Sequence, residues 1–199
     1  MRSADRTRII NNYRQLFFQY GVGPAVGQWS AEGQLFRFRK LSQIADLSGM
    51  RILDVGCGIG DLYPFLESLY RDIVYTGVDI VPELVEYAAR TYPAATFLCA
   101  DLVSDPLDFR CDYALMSGVF NNRMSDPTLA LQHLVRAVFA VCERGLAFNF
   151  ISNRVDTIDP EMAYHDPLDV FRYCIENLSS KVVIAHHYER RDVAVYVYR

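Results

Sequence analysis

Apolar residues at Ile9, Ile10, Tyr13, Leu16 and Phe17 recur mostly every three or four positions, which predicts an amphipathic helix over Arg6–Tyr20. A glycine-rich break at Gly21–Gly27 ends it. Leu35, Phe36, Phe38, Leu41 and Ile44 then predict a second helix from Ser30 to about Asp46. From Met50 the pattern changes. Short apolar runs at Arg51–Val55, Val74–Ile80, Thr96–Ala100, Asp112–Ser117 and Gly145–Ile151 read as buried strands. Between them Leu62–Tyr70, Pro82–Thr91 and Thr128–Cys142 read as helices, with Pro82 in a first turn where its missing N–H costs nothing. Asp166-Pro167 opens a last helix to about Leu178, with Asp166 able to cap it.

Strand–helix alternation implies right-handed crossovers and a parallel sheet covered on both faces. The end of the chain breaks the alternation. Lys181–Tyr188 and Val193–Tyr198 are β-rich runs joined by the polar turn Glu189–Asp192, so the last strand must run antiparallel to its predecessor. The expected fold is therefore a doubly wound α/β sheet of seven strands, mostly parallel, with a reversed final strand and helices on both faces. Residues 1–199 form a single domain in this reading: an N-terminal helical lid over 1–48, then an α/β core over 49–199.

Composition narrows the function classes. With 199 residues, 51% of them apolar and 22% charged, the chain suits one globular domain and excludes a largely disordered one. Ala137–Cys142 and Val193–Tyr198, its longest apolar runs, fall far short of the roughly 20 residues that span a bilayer. Met1–Arg6 leads into polar sequence rather than an apolar signal core, so a cytoplasmic enzyme is expected. The net charge of −4 and scattered Lys and Arg offer no basic stripe for phosphate contacts; Arg190-Arg191 reads as a solvated hairpin tip. No nucleic-acid or membrane partner is expected. The five cysteines (Cys57, Cys99, Cys111, Cys142 and Cys174) are widely spaced without a C-x-x-C pair, which fits small buried hydrophobes better than a disulfide framework or zinc site.

The chemistry concentrates where the first strand runs into Asp54-Val55-Gly56-Cys57-Gly58-Ile59-Gly60-Asp61. A glycine-rich turn between strand and helix lets a ligand lie against bare backbone. The dinucleotide pattern would need a glycine at position 61, where this chain has Asp61. An acid at that helix N-terminus repels a pyrophosphate and welcomes a cation, which favours S-adenosylmethionine, with its ammonium and sulfonium, over a nucleotide. Asp79 ends the second strand at a spacing suited to ribose hydroxyls, and Asp101 ends the third, where it can accept from the adenine amine. Ile80 and Leu102 can sandwich the purine.

Through Ile52–Asp61, Gly77–Ile80, Phe97–Leu102 and Cys111–Gly118, the sequence resembles the class I S-adenosylmethionine-dependent methyltransferases, specifically a small bacterial branch with unassigned acceptors. The resemblance implies the strand order 3-2-1-4-5-7-6. It places Asp54, Gly56, Gly58 and Gly60 around the methionine portion, Asp79 at the ribose and Asp101 at the adenine, with S-adenosylhomocysteine as product. The alternatives are a nucleotide-dependent oxidoreductase on a related fold, or a protein that holds the cofactor without transferring methyl.

Methyl transfer is an in-line displacement in which alignment supplies much of the acceleration, so no signature base is required. The acceptor is expected to be a small molecule methylated on O or N. The loop Ser117–Arg123, with Phe120, Asn121, Asn122 and Arg123, lies above the sheet edge and lacks the Asn/Asp-Pro-Pro-aromatic run of DNA amino-methylases. From it Ser117 is assigned to the cofactor, and Phe120 and Asn121 to the acceptor. The loop Ser152–His165 adds Tyr164 as an acceptor contact and His165 as a base. His186 and His187, consecutive in a strand, face opposite sides, and His187 is favoured as the other base. In the lid, Trp29 and Arg37 are assigned to the cofactor, Arg37 by pairing with the methionine carboxylate. Phe17, Phe18 and Tyr20 fit a core stripe better than an acceptor pocket. No metal site is expected; Asp156 and Asp159 alone are a thin pattern.

Overall fold

A computed structural model describes residues 2–105, 108–188 and 191–199. Glu189 and Arg190, in the expected hairpin tip, lie outside the described residues. Seven strands form one sheet: β1 (Arg51–Val55), β2 (Val74–Asp79), β3 (Thr96–Cys99), β4 (Cys111–Met116), β5 (Cys142–Ile151), β6 (Val182–Ala185) and β7 (Asp192–Tyr198). Their order is β3-β2-β1-β4-β5-β7-β6, with β7 antiparallel to both neighbours and the remaining pairings parallel. The reversed final strand and the doubly wound arrangement are both as the sequence implied.

Six helices accompany the sheet: α1 (Ser3–Tyr20), α2 (Ala31–Leu41), α3 (Leu62–Leu69), α4 (Pro82–Thr91), α5 (Pro127–Val141) and α6 (Pro167–Asn177). Their starts are chemically marked. Ser30 accepts from the Gly33 amide at 3.1 Å, Asp126 from Leu129 at 2.9 Å and Asp166 from Leu168 at 2.8 Å, each satisfying an N–H that helix geometry leaves without a partner. A short 3-10 turn over Pro24–Gly27 fills the break between α1 and α2. One face of the sheet buries Leu53, Leu146, Phe148 and Val195 with Val135 and Val138 of α5; the other buries Ile52, Leu115 and Ala147 with Leu41, Leu47 and Leu66.

Several boundaries differ from the sequence reading, and three have a cause visible in the contacts. β5 begins at Cys142 rather than Gly145, because Cys142 still pairs with Cys111 of β4 and the Arg144 carbonyl accepts from Arg199. α2 stops at Leu41, and a 3-10 turn over Ser42–Ile44 continues its path. β6 ends at Ala185, not Tyr188. An edge strand has a single partner, and after Ala185 the chain leaves it: the Tyr188 hydroxyl donates to Asp192 and its ring packs 5.4 Å from that of Phe36. Phe18 and Tyr20 do not join a core stripe, being 73% and 52% exposed. Of the five cysteines, four are buried and Cys99 is exposed.

Candidate active site

The turn after β1 is folded by backbone contacts. The amides of Gly56 and Cys57 both donate to the Val78 carbonyl of β2, at 2.8 and 3.1 Å. Gly58, at φ +55°, donates to Asp79 Oδ2 at 2.9 Å, and nothing lies within 4 Å of where its side chain would stand. That missing side chain opens a cradle in the backbone. Gly56, at φ +75°, is bare for another reason: a methyl there would meet Val119 Cγ2 at 2.6 Å.

The cradle belongs to a cavity at the carboxyl edge of the sheet, where strand order reverses between β1 and β4. Asp54, Asp61, Asp79 and Asp101 line it, and its described lining holds no Lys, Arg or His. Such crowding makes negative charge costly. Burial, opposed by the Tyr75 hydroxyl and reinforced by Asp79 and Asp61, pushes Asp54 up to about 7. Burial also raises Asp79, against backbone N–H groups of Gly58, Val81 and Ile80. Asp61 is raised by burial too, against a hydrogen bond from Gln34 Nε2 at 3.1 Å. A cation entering this cavity relieves all three. Asp101 is held by the Val103 amide at 3.1 Å and faces Arg6 of α1 at 3.6 Å.

Residues before β1 roof the cavity. Trp29 lines it, its indole abutting Gly118 and carrying the Arg37 guanidinium 3.9 Å from its ring centroid. Ile9, Tyr13, Val26 and Gln34 complete this side. α1 is docked onto the loop after β4: Asp5 accepts from the Ser125 amide and hydroxyl, Arg8 donates to the Arg123 carbonyl, and the Tyr13 hydroxyl meets Asn122.

Of the residues assigned from sequence, Asp54, Gly56, Gly58, Asp79, Ile80, Asp101, Leu102, Ser117, Trp29 and Phe120 converge on the cavity. Six do not, and the reasons are physical. A methyl on Gly60 would meet the Phe97 and Tyr92 rings at 3.1 Å, so this glycine serves helix–strand packing. Arg37 is consumed by Asp192 at 2.8 Å and by the Gly33 carbonyl, which corrects its pairing with a methionine carboxylate. Asn121 turns into the interior, its amide without a hydrogen-bond partner among the described residues, while the adjacent Asn122 lines the cavity. Tyr164 braces its own loop by accepting from the Asp159 amide at 2.8 Å. His165 is buried between Phe120 and Phe150, with Nε2 3.2 Å from the Phe120 carbonyl oxygen and its basicity lowered by burial. His187 is exposed, packs against Tyr188 and lies past the end of β6. Tyr13 and Gln34 line the cavity without being singled out by the sequence as site residues, and Asn122, named there only as part of its loop, lines it too. Tyr13 sits in a regular apolar stripe, and only the docking of α1 brings its hydroxyl to Asn122 and the cavity. Among the described residues no group of three or more His, Cys, Asp or Glu could hold a metal ion.

An acid-rimmed, glycine-cradled cavity at the switch point of a 3-2-1-4-5-7-6 sheet defines the class I methyltransferase architecture. Residues 52–145 match the model of the methyltransferase domain family. Rv1506c of Mycobacterium tuberculosis, provisionally named a methyltransferase, is 29% identical over 155 residues, covering 73% of this chain and 91% of that protein. The ubiquinone biosynthesis O-methyltransferase of Xylella fastidiosa is 36% identical over 90 residues, 41% of this chain and 35% of the enzyme. Magnesium protoporphyrin IX methyltransferase from Synechocystis, crystallised with bound S-adenosylmethionine, superposes with a TM-score of 0.72 over the full length of both chains at 19% identity. The chain has the fold of the class I S-adenosylmethionine-dependent methyltransferases and is similar in sequence to methyltransferases. No described helix is long and apolar enough to cross a membrane.

Proposed function

We propose that this enzyme methylates an oxygen or nitrogen atom of a small-molecule acceptor, with residues 1–48 acting as a lid over the cofactor. When bound, S-adenosylmethionine supplies an activated methyl group on a positively charged sulfur. The chain's own residues bind and align. Gly58 gives backbone approach for the methionine portion, with Asp54, Gly56 and Asp61 around its ammonium. Asp79, fixed by the Gly58 and Val81 amides, keeps lone pairs for the ribose hydroxyls. Asp101 accepts from the adenine amine in place of Arg6, between Ile80 and Leu102. Trp29 and Ser117 close the cofactor side, and Phe120 bounds the acceptor.

The observation that carries this reading is the charge of the lining: four carboxylates and no described cationic side chain. It fits a cationic ligand without phosphate and opposes a pyrophosphate, which disfavours a nucleotide-dependent oxidoreductase. The names of an O-methyltransferase of ubiquinone biosynthesis and a porphyrin methyltransferase among its relatives support a small acceptor. Titration calorimetry tests the proposal: S-adenosylhomocysteine is expected to bind and raise the melting temperature, and NADH to do neither. NADH binding without affinity for S-adenosylhomocysteine would overturn it.

A further inference from the structure

We infer that the acceptor is an uncharged, largely apolar molecule presenting a hydroxyl, held by Tyr13 and Asn122. This rests on the cofactor reading above and extends it to the other half of the cavity. Ile9, Phe120, Met124, Ala130 and Leu134 also line the cavity, all apolar, with Ile9 one helical turn from Tyr13 and with Phe120 and Met124 two positions either side of Asn122. An anionic acceptor finds no counter-charge there. Of the described cations near the rim, Arg14 is paired with Glu83, Arg37 with Asp192 and Arg123 with Glu161, and Arg6 stands at Asp101 on the adenine side. Burying an unpaired carboxylate in such surroundings is strongly unfavourable.

Of the polar side chains described where α1 meets the loop after β4, Tyr13 and Asn122 line the cavity. Asn122 Nδ2 donates to the Tyr13 oxygen at 3.1 Å, and the Tyr13 hydroxyl donates to Asn122 Oδ1 at a longer 3.4 Å. That longer bond is the weaker of the two and is the one a third partner can displace, and burial raises the Tyr13 pKa so that the proton stays on. An acceptor atom must take this hydrogen bond and still attack. A hydroxyl oxygen has two lone pairs: one accepts from Tyr13, and the other forms the new O–CH3 bond. The C–S electron pair returns to sulfur, and the hydroxyl proton leaves to water. A neutral amine has one lone pair, which the same hydrogen bond would occupy. Tyr13 and Asn122 thus select oxygen.

A matched set tests this: 4-hexylphenol, 4-hexylaniline and 4-hexylbenzoate, each with the intact protein and S-adenosylmethionine, following S-adenosylhomocysteine release. The phenol is expected to exceed the aniline at least tenfold in kcat/KM, with the benzoate inert. Tyr13→Phe keeps the ring and is expected to lower kcat/KM for the phenol at least tenfold while cofactor Kd stays within twofold. Asn122→Ala is expected to do the same. Cofactor binding combined with equal use of aniline or benzoate, an unaffected Tyr13→Phe, or no turnover of any of the three overturns the acceptor assignment alone. Failure to bind cofactor overturns the underlying reading and this one with it.

Discussion

Arg37 of α2 and Asp192 at the start of β7 form a 2.8 Å ion pair, with side chains only 14% and 4% exposed. The pair bolts the roof to the sheet. Asp192 also accepts from Asn149 and Tyr188, and Asn149 Oδ1 accepts from the Gly118 amide at 2.7 Å, directly beneath Trp29. Removing one partner of a buried pair leaves the other charge uncompensated. Arg37→Met is expected to lower stability by about 3 kcal/mol in urea unfolding, with Asp192→Asn recovering part of the loss in the double variant. A change near zero would show the bolt to be dispensable.

Cofactor affinity should depend on pH through Asp54. Its folded pKa, about 7, exceeds its ordinary value of 3.8, so the unliganded protein holds an extra proton between those limits. Its stability from this group is therefore greatest at low pH and declines as pH rises through 7. A bound cation prefers the ionised form. Affinity for S-adenosylmethionine is expected to rise up to about tenfold per pH unit as pH approaches 7, then level off. Calorimetry across this range should show the slope flattened in Asp54→Asn, and a slope retained there would assign the proton elsewhere.

The two cavity glycines should fail differently on substitution. In Gly58→Ala the methyl enters open space, so the expected cost is the left-handed strain of about 1–2 kcal/mol, together with loss of cofactor binding. Gly56→Ala adds the collision with Val119 and should destabilise the protein more. Comparing melting temperatures with cofactor Kd separates the two; normal binding by Gly58→Ala would remove the cradle.

Asp79→Ala should weaken cofactor binding about tenfold to a hundredfold, the scale of hydrogen bonds to a charged group. It also leaves the Gly58 and Val81 amides without their acceptor, so a drop in melting temperature should accompany it. Unchanged affinity by calorimetry would detach Asp79 from the ribose.

His187→Ala should leave kcat within twofold, because the imidazole lies outside the cavity lining. His165→Ala should instead lower stability by about 2 kcal/mol, the cost of a vacated buried site with an unmatched carbonyl. A large loss of kcat in His187→Ala with an unchanged fold would restore it as a base.

The acid-lined edge of the cavity, the proposed cofactor half, was legible because strand ends are legible. A strand's alternating period and the glycines after it fix where Asp79 and Asp101 emerge, and the parallel register brings those ends to one edge. The acceptor half was not. Asn121 and Asn122 are equivalent in composition, and the direction of each follows from a 3-10 turn closed by a bridge between Asn122 and Met162. Arg37 looked free because its partner stands 155 positions away.

The sequence by itself determined the sheet, its reversed last strand and the acid-and-glycine edge proposed to meet the cofactor. These depend on local periodicity and on short-range backbone geometry, both written in consecutive residues. Tertiary structure alone decided which side chains roof the cavity, that Arg37 is spent on Asp192, that His165 is a core residue, and that Tyr13 meets Asn122 across 109 positions. Such contacts are set by how α1 and α2 dock, and docking sums many weak apolar and polar terms that no single stretch of sequence displays.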